Sequence, residues 1–234
     1  MRRVLTFNGK ALSDFNAFWD GSQVFVKPER SVEKIEIMGK SGDLTIDNGR
    51  FTNLPLSFNC FIRDHFIENY EELMNYLYSQ KGYQRLETST EPDVYRMAQY
   101  NEANEPNTGA FLKYGSFTLE FDCMPQKWLK LGEIPISVSG TQVVLNPTRQ
   151  EAKPLIMVTG TGTFRINTDT CTLDTNTGTT YIDCEIQDAY EGLINRNPNF
   201  TTTGESFPVL KEGNNNIEVP SGMTMTIVPR WWRL

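Results

Sequence analysis

Along most of this chain apolar and polar residues alternate with period two, the spacing that turns every second side chain of a strand to the same face. Val24-Phe25-Val26, Ser31 to Ile37 and Asp43 to Ile46 carry the alternation, and Gly39, Gly42 and Asn48-Gly49 supply turns between them. Leu54-Pro55-Leu56-Ser57-Phe58-Asn59-Cys60-Phe61-Ile62 continues it and ends fully apolar. One stretch breaks the period. Phe66, Tyr70, Leu73, Leu77 and Tyr78 recur at helical spacing and predict a helix near 65–81, with Asp64 as its N-cap and Lys81-Gly82 as its stop. Glu68, Glu71 and Glu72 fall toward the positive end of its dipole. Its single apolar stripe predicts a helix lying on a sheet. Strands resume at Tyr83 to Glu87 and around Tyr95 to Tyr100. After a polar loop over 101–108 comes a long strand, Ala110 to Cys123, closed by Met124-Pro125.

From about residue 131 the helical signal disappears, and Thr, Asn and Gly dominate. Leu155 to Val158 reads as a buried strand, and Thr163 to Asn167 follows the turn Gly160-Thr161-Gly162. Cys171-Thr172-Leu173 and Thr179 to Cys184 read as two hairpin arms; Phe207-Pro208, Asn216 to Val219 and Thr224 to Val228 complete the set. Short strands punctuated this often by turns predict a sandwich or jelly roll. The fold class is therefore mainly β with one helix: a β-rich α+β domain over 1–130 and a β-sandwich domain over 131–234.

The chain finishes on Pro229-Arg230-Trp231-Trp232-Arg233-Leu234, which holds two of its four tryptophans. Chain ends are ordinarily frayed and polar, and two adjacent indoles in water forgo much burial energy. The segment is therefore a strand docked on its own domain or a contact that another subunit covers. Stacking of the flanking arginines on the indoles would add roughly 0.5–2 kcal/mol each.

Composition narrows the function. Hydrophobic residues at 38% and aromatics at 12% suffice for packed cores. Lys plus Arg number 22 against 29 Asp plus Glu, and the formal charge of −7 gives no basic field for nucleic acid. No stretch has the length and apolarity of a transmembrane helix, and Met1 to Gly9 is too short and polar for a signal peptide, so synthesis in a reducing cytoplasm is the expectation. Cys60, Cys123, Cys171 and Cys184 lack metal-ligand spacing. His65 is the one histidine, so neither a histidine-based zinc cluster nor a triad without it can form. It falls at a strand-to-helix junction among charged residues, where a surface or capping role is the simple reading. Asp183 and Glu185 share a strand face and read as solvated. Gly160-Thr161-Gly162 lacks the Lys and the helix of a phosphate loop, and Asn199-Phe200-Thr201 matches a glycosylation acceptor only formally. No catalytic set, metal site or cofactor site emerges.

Five pieces of the second half then acquire meaning together: Pro154 to Gly162, Tyr181 to Glu185, Phe207 to Leu210, Gly213 to Ile217 and Pro229 to Trp232. In order and spacing they resemble the C-terminal half of the distal tail proteins (the Dit family) of long-flexible-tailed bacteriophages. Phe7-Asn8-Gly9, the central helix and Gly115 to Pro125 resemble that family's N-terminal domain, so the resemblance covers almost the whole chain. It implies a structural protein of the virion tail tip, made in the host cytoplasm. N-terminal domains, split-barrel or sandwich-like, would form a homohexameric ring, and galectin-like C-terminal sandwiches would project outward. The implied partners are further copies of the chain, the major tail tube protein, the tail-associated lysin or tip protein and, in some phages, receptor-binding proteins. No enzyme activity, cofactor or membrane is implied. The alternating strands of 24–46, with Val32, Ile35 and Ile37, are the candidates for intersubunit pairing; Arg230, Trp231 and Trp232 are candidate assembly or domain-docking contacts. The competing reading is a carbohydrate-binding module for cell-wall adhesion. Against it, the second half holds no histidine, a residue that sugar-binding galectins use.

Overall fold

The computed structural model describes residues 3–22, 26–101, 105–108, 113–174 and 177–234. The strand expected at Val24-Phe25-Val26 falls largely outside the described residues, as do the first residues of the strand expected from Ala110 and part of the loop expected over 101–108. The chain divides into two units between Lys127 and Trp128.

The first unit contains β1 (Leu5–Phe7), β2 (Lys10–Ala11), β3 (Ala17–Trp19), β4 (Arg30–Ile35), β5 (Leu44–Phe51) and β6 (Leu54–Ile62). The helix α1 (Phe66–Ser79) follows, then β7 (Gln84–Thr88), β8 (Val94–Gln99), β9 (Asn107–Thr108) and β10 (Gly115–Cys123). Its main sheet runs β2-β1-β7-β8-β10-β6-β3. At the centre β6 and β10 pair antiparallel over nine residues each, from Cys123 opposite Leu54 to Gly115 opposite Ile62. The alternation read in both segments sends Leu54, Leu56, Phe58, Cys60 and Ile62, with Phe117, Leu119, Phe121 and Cys123, into one core.

The helix lies over that face and buries Phe66, Leu73, Met74 and Leu77 in the same cluster. Phe58 meets Trp19 and Phe121 edge-on, and Tyr70 meets Phe117 in the same way at 5.2 Å between centroids. Gly115 leaves room for the helix: a Cβ there would stand 2.6 Å from the Phe66 ring. The helix begins one residue later than Asp64 capping would require. Its N-cap position is His65, left-handed at φ 47°, with no side-chain cap. Asp64 instead offers its backbone carbonyl to the side-chain amide of Asn69.

The second unit opens at the end of β11 (Lys127–Leu129), which pairs with β23 (Trp232–Arg233) among others. Two sheets enclose one core. The first contains β12 (Ile136–Val138), β14 (Leu155–Thr159), β17 (Thr179–Asp183), β18 (Asp188–Glu191), β19 (Ile194–Asn195) and β22 (Thr224–Val228), in the order β12-β22-β14-β17-β18-β19. The second contains β13 (Gly140–Asn146), β15 (Gly162–Ile166), β16 (Asp169–Leu173), β20 (Phe200–Thr202) and β21 (Gly213–Val219), in the order β13-β21-β15-β16-β20. Ile156, Val158, Ile182 and Ile227 from one sheet share a core with Phe164, Ile166, Leu173 and Ile217 from the other.

Here the hairpin expected between Cys171 and Cys184 is replaced by a different connection. β16 and β17 lie in different sheets: β16 turns back on β15 through left-handed Asn167, and β17 pairs with β18 through left-handed Gln187. Both cysteines are buried free thiols of the shared core. Phe207-Pro208 is not a strand; the chain pairs next at Leu210, which bridges Ala152.

The first unit also buries charge. Arg96 and Lys127 are 7% and 6% exposed, and Glu91 Oε1 lies 2.6 Å from Lys127 Nζ. Burial lowers the pKa of both cations, while Glu91 opposes the shift in each. Breaking such a pair from one side leaves uncompensated buried charge, which costs about 3–5 kcal/mol. Glu91→Gln should therefore destabilise the first unit by about 3 kcal/mol in denaturant unfolding, and Lys127→Met in that background should recover part of the loss.

Candidate assembly site

Strands β4 and β5 stand apart from the main sheet as a two-stranded hairpin. Glu33 pairs with Ile46 and Ile35 with Leu44, so these four share one face; Val32, Lys34, Thr45 and Asp47 share the other. Neither strand contains a buried residue. Ile35, Ile37, Leu44 and Ile46 are 37–46% exposed, and Met38 at the turn is fully exposed. Of the three sequence candidates here, Ile35 belongs to the apolar face, Val32 to the opposite one, and Ile37 follows β4, its carbonyl accepting from the Lys40 N–H in the turn. An exposed Arg30–Asp47 ion pair at 2.8 Å joins the strands, and the Arg30 guanidinium stacks over Phe51. Where β5 leads into β6, the Thr52 N–H donates to the Glu29 carbonyl at 2.9 Å and closes the base of the hairpin.

The carboxy-terminal segment is arranged otherwise. Pro229 follows β22, and Arg230 takes the left-handed conformation at φ 58°. Trp231 then enters the core of the second unit and is 2% exposed. The Arg230 N–H donates to the Gly132 carbonyl and the Trp231 carbonyl accepts from Leu129 N–H, both at 2.8 Å. The Trp232 indole Nε1–H donates to the Glu151 carbonyl at 2.9 Å. Arg230 does not stack on an indole. Its guanidinium binds Asp183 in bidentate fashion, Nη1 to Oδ1 at 2.6 Å and Nη2 to Oδ2 at 2.8 Å. Asp183 is thus a buried, paired carboxylate, unlike the solvated residue its strand pattern suggested, and Glu185 faces Lys153 at 3.8 Å. The pairing of residues so far apart in sequence had no local signal.

The hairpin and the terminus are separate features, one in each unit. Among the described residues no His, Cys, Asp and Glu group has the geometry of a metal site, and no helix is long and apolar enough to cross a membrane. His65 lies in an open crevice with Arg63, Asp64, Glu68 and Lys113, without a serine or cysteine among its lining residues. Burial pushes the Cys171 thiol up to about 11 and Cys123 to about 12, and raises Cys60 and Cys184 further, so none supplies a thiolate at neutral pH. The Gly-Asn-Asn-Asn run is architectural. Asn215, fully buried, donates to the Lys211 and Gly213 carbonyls and accepts from Asn167 and the Lys211 N–H, tying together the loops around β21.

The whole chain superposes on SPP1 Dit (gp 19.1), described as a paradigm of the hub adsorption apparatus in phages infecting Gram-positive bacteria. The TM-score is 0.77 at 15% identity, with both chains covered completely. The fold is that of a phage Dit protein. A chain of the phage p2 baseplate, in its activated conformation with Sr, is similar more loosely, with a TM-score of 0.56 at 12% identity over 100% of this chain and 99% of that one. No family model and no curated protein matches the sequence.

Two measurements test the terminal docking. A Cβ on Gly132 would lie 2.3 Å from the Trp231 backbone nitrogen, so Gly132→Ala should lower the melting temperature of the second unit by several degrees, equivalent to about 2 kcal/mol or more. For Asp183, burial raises the carboxyl pKa, but the Arg230 hydrogen bonds and charge, with backbone N–H groups of Glu185 and Ile186, outweigh it and hold the pKa below the ordinary value. A depressed folded pKa gives stability that is complete above the unfolded pKa of about 3.9 and is lost as pH falls through the folded value. Asp183→Asn should therefore lower stability at pH 7 and flatten the melting-temperature profile of the second unit below about pH 4.

Proposed function

We propose that this chain is a distal tail protein of a long-flexible-tailed bacteriophage, a structural component of the virion tail tip assembled in the host cytoplasm. Six copies form a ring through their first units. The ring joins the tail tube protein on one side to the tail-associated lysin or tip protein on the other, and the second units project as galectin-like sandwiches toward the host-recognition apparatus. The observation that carries this reading is the end-to-end likeness to SPP1 Dit, both units included.

Two features of the chain support it. A ring uses two different patches on every subunit, so each copy needs an element to offer its neighbour. In the first unit the main sheet path ends on β2 and β3, strands of two and three residues, too short to extend by pairing. The β4–β5 hairpin instead has strands of six and eight residues with apolar side chains turned to solvent. Ile35 and Ile37, with Leu44 and Ile46, are the residues that a neighbour covers, and Val32 contacts it from the opposite face. In the second unit Arg230 and Trp231 dock the terminus on its own domain, and the partly exposed Trp232 rims that surface.

Light scattering of the purified protein across a concentration series should show a hexamer, alone or on addition of its tube and tip neighbours. Ile35→Asp combined with Ile46→Asp should abolish the hexamer while shifting the melting temperature by less than about 2 °C, since neither residue is buried. A strict monomer that binds host cell walls tightly would overturn the reading in favour of an adhesion module.

A further inference from the structure

The hairpin β4–β5 is held together differently from every other long pairing in its unit. β6 and β10 pair over a core that five inward residues of β6 help to build, whereas neither β4 nor β5 contributes a buried residue. What joins them is a backbone ladder with an irregularity between Arg30 and Val32, an exposed Arg30–Asp47 ion pair, the Arg30 guanidinium over the half-buried Phe51 ring and a Ser31–Asn48 side-chain hydrogen bond. Exposed ion pairs contribute little. An isolated two-stranded hairpin is marginal in water, because ordering its backbone is not offset by burial.

We infer that β4–β5 becomes stably ordered only when it docks on a second copy of this chain, so that folding of the hairpin and closure of the ring are a single coupled step. This rests on the ring reading above. Charge favours the second copy as the occupant. Residues 30–51 carry Arg30, Lys34, Lys40 and Arg50 against Glu33, Glu36, Asp43 and Asp47, so the hairpin is formally neutral in a chain of net charge −7. It can approach an acidic copy without the like-charge repulsion that the rest of the chain meets. Nucleic acid or an anionic lipid surface would call for a basic arm, which this is not. The apolar side chains on its Ile35 face need a protein surface to cover them.

Coupling has a measurable consequence. When only a fraction of monomers holds the docking-competent hairpin, the apparent affinity for the next subunit falls by that fraction. Pre-ordering the hairpin should restore it. Lys34 and Thr45 lie directly opposite each other, so Lys34→Cys with Thr45→Cys places a disulfide staple across the ladder. The test is amide hydrogen exchange on the full-length protein, dilute and assembled, together with the assembly midpoint of the stapled variant, oxidised and reduced.

In the dilute protein, amides of 30–51 should exchange within about tenfold of the unfolded-peptide rate and should slow by about a hundredfold or more in the ring. The oxidised staple should lower the midpoint concentration by about tenfold, and the reduced form should not. Hairpin amides as protected in the monomer as those of β6 and β10, or a midpoint unmoved by the staple, would overturn the inference and leave the ring reading intact. Absence of a ring at every concentration, stapled or not, would instead remove the ring reading on which the inference rests.

Discussion

The pairing of β6 with β10 is the constraint on which the first unit depends. The more buried and the more exposed positions alternate along all nine residues of both strands, and the period of side-chain direction is two. A slip of β10 by one residue would turn Phe117, Leu119 and Phe121 to water together, so the register is strongly specified. The helix inherits that specification, since Phe66 fits only where Gly115 presents no Cβ. So does the hairpin, because β5 runs into β6 with only Thr52 and Asn53 between them and the Thr52–Glu29 hydrogen bond closes its base. A solvent-facing arm is in this way set directly on a core strand of its unit.

The second unit solves a different problem: closing a sandwich core at its end. Trp231 supplies the closing volume, and three local devices bring it there. Pro229 stops the ladder after β22, left-handed Arg230 reverses the direction of the chain, and Gly132 lets the two backbones approach more closely than any side chain would permit. The reversal also aims the Arg230 guanidinium at Asp183, in the geometry that gives bidentate pairs their strength and orientation. One terminal segment thus satisfies a buried carboxylate and seals a core.

Much of this was legible in the sequence wherever one local pattern decided the outcome. Leu54 to Ile62 and Thr224 to Val228 alternate strongly enough that the strands occupy those residues, and the helical spacing from Phe66 locates the one α-helix among the described residues. What escaped depended on partners distant in the chain. Thr179 to Cys184 has the pattern of a hairpin arm, but nothing local says whether its neighbour is β16 or β18; the placement of β16 and β17 in different sheets decides that. Asp64 has the chemistry of an N-cap, yet His65 takes the left-handed turn, and the carbonyl of Asp64 serves Asn69. The Arg230–Asp183 pair spans 47 positions and leaves no periodic trace.

The hairpin shows why alternation alone does not reveal burial. β4 and β6 both alternate, but their polar positions differ in kind. Between its inward residues β6 has Pro55, Ser57 and Asn59, uncharged groups that tolerate the crowded surface of a sheet. β4 and its turn have Glu33, Lys34 and Glu36 around Val32, Ile35 and Ile37, and charged groups this dense cannot be desolvated on both faces without partners. A neutral set of alternating charges beside an apolar stripe suits a surface that is wet before assembly and covered after it. Such a surface needs charge to remain soluble and apolar area to gain from contact, and charges that sum to zero so that approach to an acidic copy is not opposed. The segment meets all three conditions, whereas β6, which gains its burial within the chain, carries no charge to keep its apolar residues soluble.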